Sequence, residues 1–462
     1  MRLTIIGAGP GGYVAALKAA RLGAEVSVVE SGEVGGVCLN RGCIPTKTLS
    51  ASAELMLKAG ELDSYGLELK GEVVPNIEKI MQRKNKVIEV QVKGIRGLFK
   101  SWGVKLIQGR GRLKSPTQVE VDKPDGTTEV LEADKVIIST GSRPCSIPTF
   151  PFDGVNILSS DDALTINKIP GSMIIVGAGV IGCEFGGIFN AIGTDITMIE
   201  MLDRAVATED TDVSDLLARE FKKRKIKIFT GVRVDRVEVK DDGVHAFTSD
   251  GKEHVAEKLL VSIGRTLNTE RIGLDEIGVE KGKRGEIVVD DRMETNVKGV
   301  YAIGDCTGKI LLAHVASTQG IVAAKNAMGQ DSAMDYNTVP AAIFTHPEIA
   351  SVGLREFQAD EKGIKVITGR FPYRALGKAH AMGEIAGFVK LVADANTDKL
   401  LGAHIIGAHA ADLVHEAAVA IRNGLKVRDV AHTIHAHPTL SEGIMEAAEA
   451  VHGQAIHMPK EK

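Results

Sequence analysis

The 462-residue chain is short of several things. Its five cysteines, Cys38, Cys43, Cys145, Cys183 and Cys306, are too few and too scattered for a disulfide framework. No uninterrupted apolar stretch approaches the roughly 20 residues of a membrane-spanning helix. A reducing cytoplasm is therefore the expected setting, where a close cysteine pair is redox-active or metal-binding rather than structural. Lys plus Arg is 56 against 60 for Asp plus Glu, a net charge of −4. With no basic excess, nucleic-acid binding has no electrostatic support. Aromatic residues make up only 4%, with a single Trp. Hydrophobic residues at 44% and charged residues at 25% are ordinary for a folded protein and exclude a disordered or collagen-like chain.

The surplus is glycine, 51 of 462 residues, where a typical share is about 7%. Glycine used this heavily serves tight turns or brings backbone close to a ligand. The N-terminus, MRLTIIGAGPGGYVAALKAARLG, has the basic start and apolar run of a signal peptide. Its early glycines and the helical period that follows fit a glycine turn better.

One device occurs twice. Residues 3–6, LTII, predict a buried strand running into Gly7-Ala8-Gly9-Pro10-Gly11-Gly12, then a helix to Gly23 and a strand, AEVSVVE, ending at Glu30. SMIIV at 172–176 leads likewise into Gly177-Ala178-Gly179-Val180-Ile181-Gly182, a helix to Gly193 and TDITMIE, ending at Glu200. First glycine and acid are 23 positions apart in both copies. Strand, turn, helix and terminal acid stand in the order of a dinucleotide-binding unit. Gly7 and Gly177 permit the turn, Gly9 and Gly179 let backbone approach a pyrophosphate, and Gly12 and Gly182 let helix meet strand. The helix N-termini hold phosphates, and Glu30 and Glu200 accept hydrogen bonds from a ribose. The competing reading is two glycine turns in ordinary α/β folds. A carboxylate at position 200 suits the 2′-hydroxyl of NAD and repels the 2′-phosphate of NADP, so NAD is expected, with Arg204 nearby as the opposing charge.

Between the two copies lies GGVCLNRGCIPTK (35–47). Cys38 and Cys43 can close a small disulfide if the first helical turn brings them together. Zinc would want two further ligands at suitable spacing, and the other cysteines are isolated. Two unreactive buried thiols are the remaining alternative. A helix N-terminus and Lys47 would stabilise a thiolate, as thiol–disulfide exchange requires.

In their order, these segments resemble the flavin-dependent pyridine nucleotide–disulfide oxidoreductases over the full length. GGVCLNRGCIPTK looks like that family's redox-active segment, and IISTGSRP (137–144) like its ATG-type segment. TNVKGVYAIGD (295–305) resembles its second flavin-binding motif, FTHPEIASVG (344–353) the start of its dimerisation domain, and HAHPTLSE (435–442) its catalytic C-terminal segment. The resemblance implies an α/β fold of two Rossmann-like dinucleotide-binding domains, for FAD and NAD, plus an α+β C-terminal dimerisation domain. The flavin domain, 1–140 and 266–335, would be interrupted by the NAD domain, 141–265, with the interface domain at 336–462.

The resemblance also implies roles. FAD would be held by Gly7, Gly9, Gly12 and Glu30, by Gly111 at the adenine end, by Thr140 and Gly141, by Asp305 on the ribityl chain, and by Ala313 at the flavin. NAD would be held by Gly177, Gly179, Gly182, Glu200, Val234 and Gly264. Lys47 would sit beside the flavin paired with Glu184; the alternatives are a solvated lysine and a first-turn acid favoured by the helix dipole. Cys38 would be the interchange thiol and Cys43 would face the flavin. His437 would be the base, supplied by the other subunit of a homodimer and oriented by Glu442; His435 is its nearest rival.

The implied reaction oxidises a dithiol, free or carried on the lipoyl domain of an acyltransferase or on a glycine cleavage carrier protein, and reduces NAD. A glutathione-type reductase is disfavoured by Glu200, and a mercuric-type one by the cysteine-free HGQAIHMPKEK at the end. A flavin-binding component with vestigial catalysis is the reading from outside the enzyme class. Three positions depart from the family pattern: Arg41 for Val, Leu267 for Pro, and Val315 for Lys.

Overall fold

The computed structural model describes residues 1–460; the last two residues of the 336–462 segment lie outside it. Three five-stranded sheets organise the chain. In the first, Arg2–Ile6 is central, with Glu25–Glu30 and Lys105–Gln108 on one side and Lys135–Ile138 and Val300–Ala302 on the other, all parallel. Its strands read as near-continuous apolar runs because a parallel sheet is buried on both faces. The helix Pro10–Arg21 lies against Ala313–Ala327. The contact is close enough that a Cβ at Gly320 would stand 2.5 Å from the Gly11 carbonyl oxygen.

The second sheet repeats the plan. Ser172–Val176 is central, Asp195–Ile199 and Lys227–Phe229 lie on one side, and Lys258–Val261 and Ile157–Leu158 on the other, again parallel. The strand expected to end at Glu200 stops at Ile199. Lys227–Phe229 pairs no further than Ile199, although the Glu200 amide still donates to the Phe229 carbonyl at 2.8 Å, whereas Glu30 pairs with Gln108. The repeat continues past the motif, since each sheet carries a three-stranded antiparallel sheet, Arg110–Ser115 to Thr128–Glu132 on the first and Val234–Lys240 to Glu253–Ala256 on the second. An antiparallel ribbon, Ser142–Pro144 with Arg265–Leu267, joins the outgoing and returning chain between the two sheets.

The third sheet is antiparallel, in the order Ala341–Ile343, Ile349–Gly353, Leu400–Ile406, Phe388–Asp394, Val366–Pro372. The helices Ala410–Arg422 and Glu442–Val451 cover it and close a third apolar core. The fold is thus mixed α/β, two Rossmann-like units followed by an α+β unit.

Candidate active site

The glycine turns show which glycines the protein itself demands. Gly7 and Gly177 have φ of +104° and +97°, and a Cβ would fall 2.2 Å from the Ser139 oxygen and 2.6 Å from the Ser262 oxygen. A Cβ at Gly12 or Gly182 would lie 1.9 or 2.0 Å from the oxygen of Gly7 or Gly177. The middle glycines differ. Gly179 has nothing within 4 Å of a Cβ, and Gly9 has only the Gly36 Cα, at 3.9 Å. Nothing in the protein excludes a side chain there, so the requirement points outward, as a closely approaching pyrophosphate would explain. Neither helix that follows has a side-chain cap, which leaves its first N–H groups free for phosphate.

The two carboxylates also match. Glu30 accepts hydrogen bonds from the Ala8 and Gly32 amides at 2.6 and 2.7 Å, and Glu200 from Ala178 and Leu202 at 2.6 and 2.8 Å. Each oxygen keeps a second lone pair for a ribose hydroxyl. Arg204 is turned elsewhere: it donates to the Ala207 carbonyl at 2.9 Å and lies 5.4 Å above the Phe357 ring.

A cavity of about 1770 Å³ runs from the first turn to the cysteines. Its lining includes Gly7, Gly9, Glu30 and Gly111, then Thr140, Gly141, Asp305 and Ala313, and also Cys38, Cys43, Lys47 and Glu184. Ala313 opens the helix Ala313–Ala327, whose N-terminus has no side-chain cap. Gly177, Gly179, Gly182, Glu200, Val234 and Gly264 are not part of this lining: the three glycines form the second turn, Glu200 is bonded to its Ala178, Val234 opens the strand Val234–Lys240, and Gly264 follows Lys258–Val261. The Val234 side chain is buried beside Phe150, Ile174 and Val261, so that position offers a ligand only main chain.

Two further residues escaped the sequence reading. Arg265 Nε donates to Ser142 Oγ at 2.6 Å, and Ser142 donates to Asp305. This relay fixes the Asp305 carboxylate through the ribbon that joins the two units. Its only sequence trace was the SIGR and GSRP segments, which gave no sign that they pair.

Cys38 lies in the short helix Gly36–Arg41, and Cys43 is the first residue of Cys43–Ala59. Both are thiols in the structure. The hydrogen bond from Cys38 lowers the Cys43 thiol to about 7, against the upward pull of burial and with help from Lys47. Cys38, the donor of that bond and also buried, is pushed up. Lys47, which lies nearby, favours the thiolate form of Cys43.

Lys47 and Glu184 meet because the helices Cys43–Ala59 and Val180–Ala191 pack together. Lys47 Nζ is 2.9 Å from both carboxylate oxygens and 4.3 Å from the Phe344 ring centre, and the Phe344 amide donates to Glu184 Oε1 at 2.9 Å. Lys47 is thus not a solvated lysine, and Glu184 lies beyond the first helical turn. Among the positions that depart from the family pattern, Arg41 reaches Asp161 at 3.3 Å, Leu267 pairs with Ser142 in the ribbon, and Val315 is buried in the first core.

At the C-terminal segment, His437 Nδ1 is 2.8 Å from Glu442 Oε1, and the Thr439 amide donates to Glu442 Oε2 at 2.8 Å. Burial raises the Glu442 carboxyl, but the Thr439 amide and His437 outweigh it and hold the group below its ordinary range. The His437 side chain is 77% exposed and lies outside the cavity of its own chain. The rival His435 is 5% exposed, with both ring nitrogens engaged by the Thr433 carbonyl and Glu416. Of the two, His437 alone has a free nitrogen to offer.

Comparison with known proteins places this geometry. The family model for pyridine nucleotide-disulphide oxidoreductase matches residues 1–320, and the dimerisation domain of that family matches 339–448. Dihydrolipoyl dehydrogenase of Chlamydia muridarum is 43% identical over 98% of this chain and 97% of its own. That of Bacillus subtilis is 42% identical over 98% of each. The crystal structure of LpdA from Mycobacterium tuberculosis matches with a TM-score of 0.92 at 31% identity, over 97% of this chain and 99% of that one. With two matched glycine units, a cysteine pair between them and a dimerisation domain behind, the chain belongs to the pyridine nucleotide–disulphide oxidoreductase family.

Proposed function

We propose that the chain is an NAD-dependent dihydrolipoyl dehydrogenase, which oxidises a lipoyl-borne dithiol at Cys38 and Cys43 and reduces NAD. The observation that carries this reading is the cavity in which the cysteine pair, Lys47 and Glu184 stand at the junction of the two glycine units. FAD fits the part of the cavity lined by Gly7, Gly9 and Glu30, where Gly12 closes the turn from behind, with Gly111 at its adenine, Thr140, Gly141 and Asp305 along its length, and Ala313 and Lys47 at its ring. NAD fits the second turn, at Gly177, Gly179, Gly182, Glu200, Val234 and Gly264, with Glu184 between the two. Arg204, engaged by Ala207, leaves Glu200 as the charge facing a 2′-position, which favours NAD over NADP.

With the cysteines in their disulfide state, His437 of the partner subunit takes a proton from one substrate thiol, and Glu442 stabilises the resulting imidazolium. The substrate thiolate attacks Cys38 Sγ, the Cys38–Cys43 bond breaks, and Cys43 leaves as thiolate beside Lys47. The second substrate thiol gives up its proton and attacks the substrate sulfur bound to Cys38; Cys38 leaves and takes up a proton, which releases the cyclic disulfide and leaves Cys38 as thiol and Cys43 as thiolate. FAD, held as above with Cys43 and Lys47 at its ring, would supply the two-electron relay between the reduced cysteines and NAD.

The exposed His437–Glu442 dyad and the dimerisation domain support a homodimer in which each subunit completes the other's site. Lipoyl domains of acyltransferases or a glycine cleavage carrier protein are the fitting partners, and the cytoplasm the fitting location. Among the described residues no helix is long and apolar enough to cross a membrane. The test is a comparison of dihydrolipoamide with NAD against glutathione with NADP. Turnover is expected only with the first pair; equal or better turnover with the second would overturn the reading.

A further inference from the structure

A row of polar side chains crosses the otherwise apolar third sheet. Ser351, His404, Lys390 and Arg370 stand in register on four adjacent strands, and the first three are buried. Such residues inside a sheet need partners: His404 finds the Leu354 carbonyl and Ser351 finds Arg355 within the unit, whereas Lys390 is met by acids of the NAD-side unit. Lys390 Nζ is 2.9 Å from Asp210 and 2.9 Å from Asp212, with Glu356 of its own unit at 2.7 Å. Arg355 bridges the same seam, 3.2 Å from both oxygens of buried Glu209 and 2.9 Å from Ser351 Oγ.

Glu209 and Asp210 end a loop that begins at Glu200, after the strand Asp195–Ile199, and Asp212 lies in the helix that follows. Glu200 accepts from the Ala178 amide, and Val206 donates to the Ala178 carbonyl at 2.8 Å, so the residue between Gly177 and Gly179 is gripped on both sides by the 200–206 segment. Val206 has φ of +43°, unusual for a β-branched residue and sustained only where the surroundings enforce it. Glu209 donates its amide to the Val206 carbonyl, and Asp210 caps the helix Thr211–Lys223. The chain from Glu200 to Asp210 is therefore anchored to the glycine turn at one end and to the third sheet at the other.

We infer that Lys390 and Arg355 are positioning residues for the nicotinamide nucleotide: they hold the 201–210 loop, and through Val206 and Ala178 they set the second glycine turn and Glu200. A residue that only joined two units would affect both substrates alike. A positioning residue acts on the nucleotide alone. This inference rests on the proposal that NAD binds the second turn.

The experiment uses the full-length FAD-loaded protein and calorimetric binding of ADP-ribose, alongside KM for NAD and for dihydrolipoamide. In K390M, ADP-ribose affinity is expected to fall and KM for NAD to rise, each about ten-fold, while KM for dihydrolipoamide stays within about two-fold. K390R, which keeps a cation in the seam, should recover most of the loss. Unchanged ADP-ribose affinity in K390M, or equal losses for both substrates, overturns the inference. If K390M accumulates poorly, E356Q removes one Lys390 partner at the exposed rim and should shift ADP-ribose affinity in the same direction by less; no shift overturns it too. Failure of the unsubstituted protein to bind ADP-ribose would instead remove the nucleotide proposal, and this inference with it.

Discussion

Lys47 and Glu184 are each the fifth residue of a helix, and where the two helices meet Nζ lies 2.9 Å from both carboxylate oxygens. The pair joins the cysteine-bearing helix to the helix of the second glycine unit, with Glu184 almost wholly buried. Replacing Glu184 by Gln leaves a half-buried ammonium facing a neutral amide. Removal of one partner of a buried pair is costly, and partial exposure of Lys47 reduces that cost to about 1–3 kcal/mol. Urea denaturation of the E184Q protein should show a loss in this range; an unchanged midpoint would mean the pair contributes nothing to stability.

Lys47 also lowers the Cys43 thiol, after the hydrogen bond from Cys38. In the reduced protein, alkylation of Cys43 by iodoacetamide should rise with pH through a midpoint near 7, while Cys38, pushed up, reacts only at more alkaline pH. Lys47→Met removes a positive charge that favours thiolate, so the Cys43 midpoint should move upward. Peptide mass spectrometry across pH reads both sites separately. A downward move, or Cys38 titrating first, would contradict the assignment of roles.

The histidines separate two functions that sequence spacing could not. His437→Gln should lower dihydrolipoamide turnover on the order of 10²–10⁴-fold and spare NADH-to-dye electron transfer. His435→Gln should do the reverse, since His435 ties Thr433 to Glu416 inside the unit: lower thermal stability with kinetics little changed. Steady-state assays and thermal melts on both variants decide between them.

What was legible in the chain followed local pattern. The paired turns, their strands and the terminal acids could be read because glycine spacing and apolar runs are properties of neighbouring residues, and the cysteine segment likewise. Lys47–Glu184 was reached only through resemblance, since 137 positions separate the partners. The Arg265–Ser142–Asp305 relay and the row from Ser351 to Arg370 were not reached at all. Each depends on strands distant in sequence coming into register, and a lysine such as Lys390 inside FVKLVAD carries no local mark of the acids that will face it. Val234 shows the limit from the other side: its strand position could be read, but not that its side chain turns into the core.

The glycines allow the sharpest separation of folding from binding. Gly7→Ala puts a Cβ 2.2 Å from the Ser139 oxygen at a φ of +104°, and Gly177→Ala repeats the clash at Ser262, so both should accumulate poorly or melt early. Gly179→Ala has no protein atom within 4 Å to meet. It should fold, retain FAD and melt near the unsubstituted protein. Its KM for NAD should nevertheless rise on the order of ten-fold, because the new methyl occupies the space a pyrophosphate needs. Gly9→Ala, open except for Gly36 at 3.9 Å, should fold and lose FAD instead. Flavin absorbance per chain, thermal melting and KM for NAD on the four proteins test the set together. An NAD KM left unchanged by Gly179→Ala would show that the second turn does not take the nucleotide.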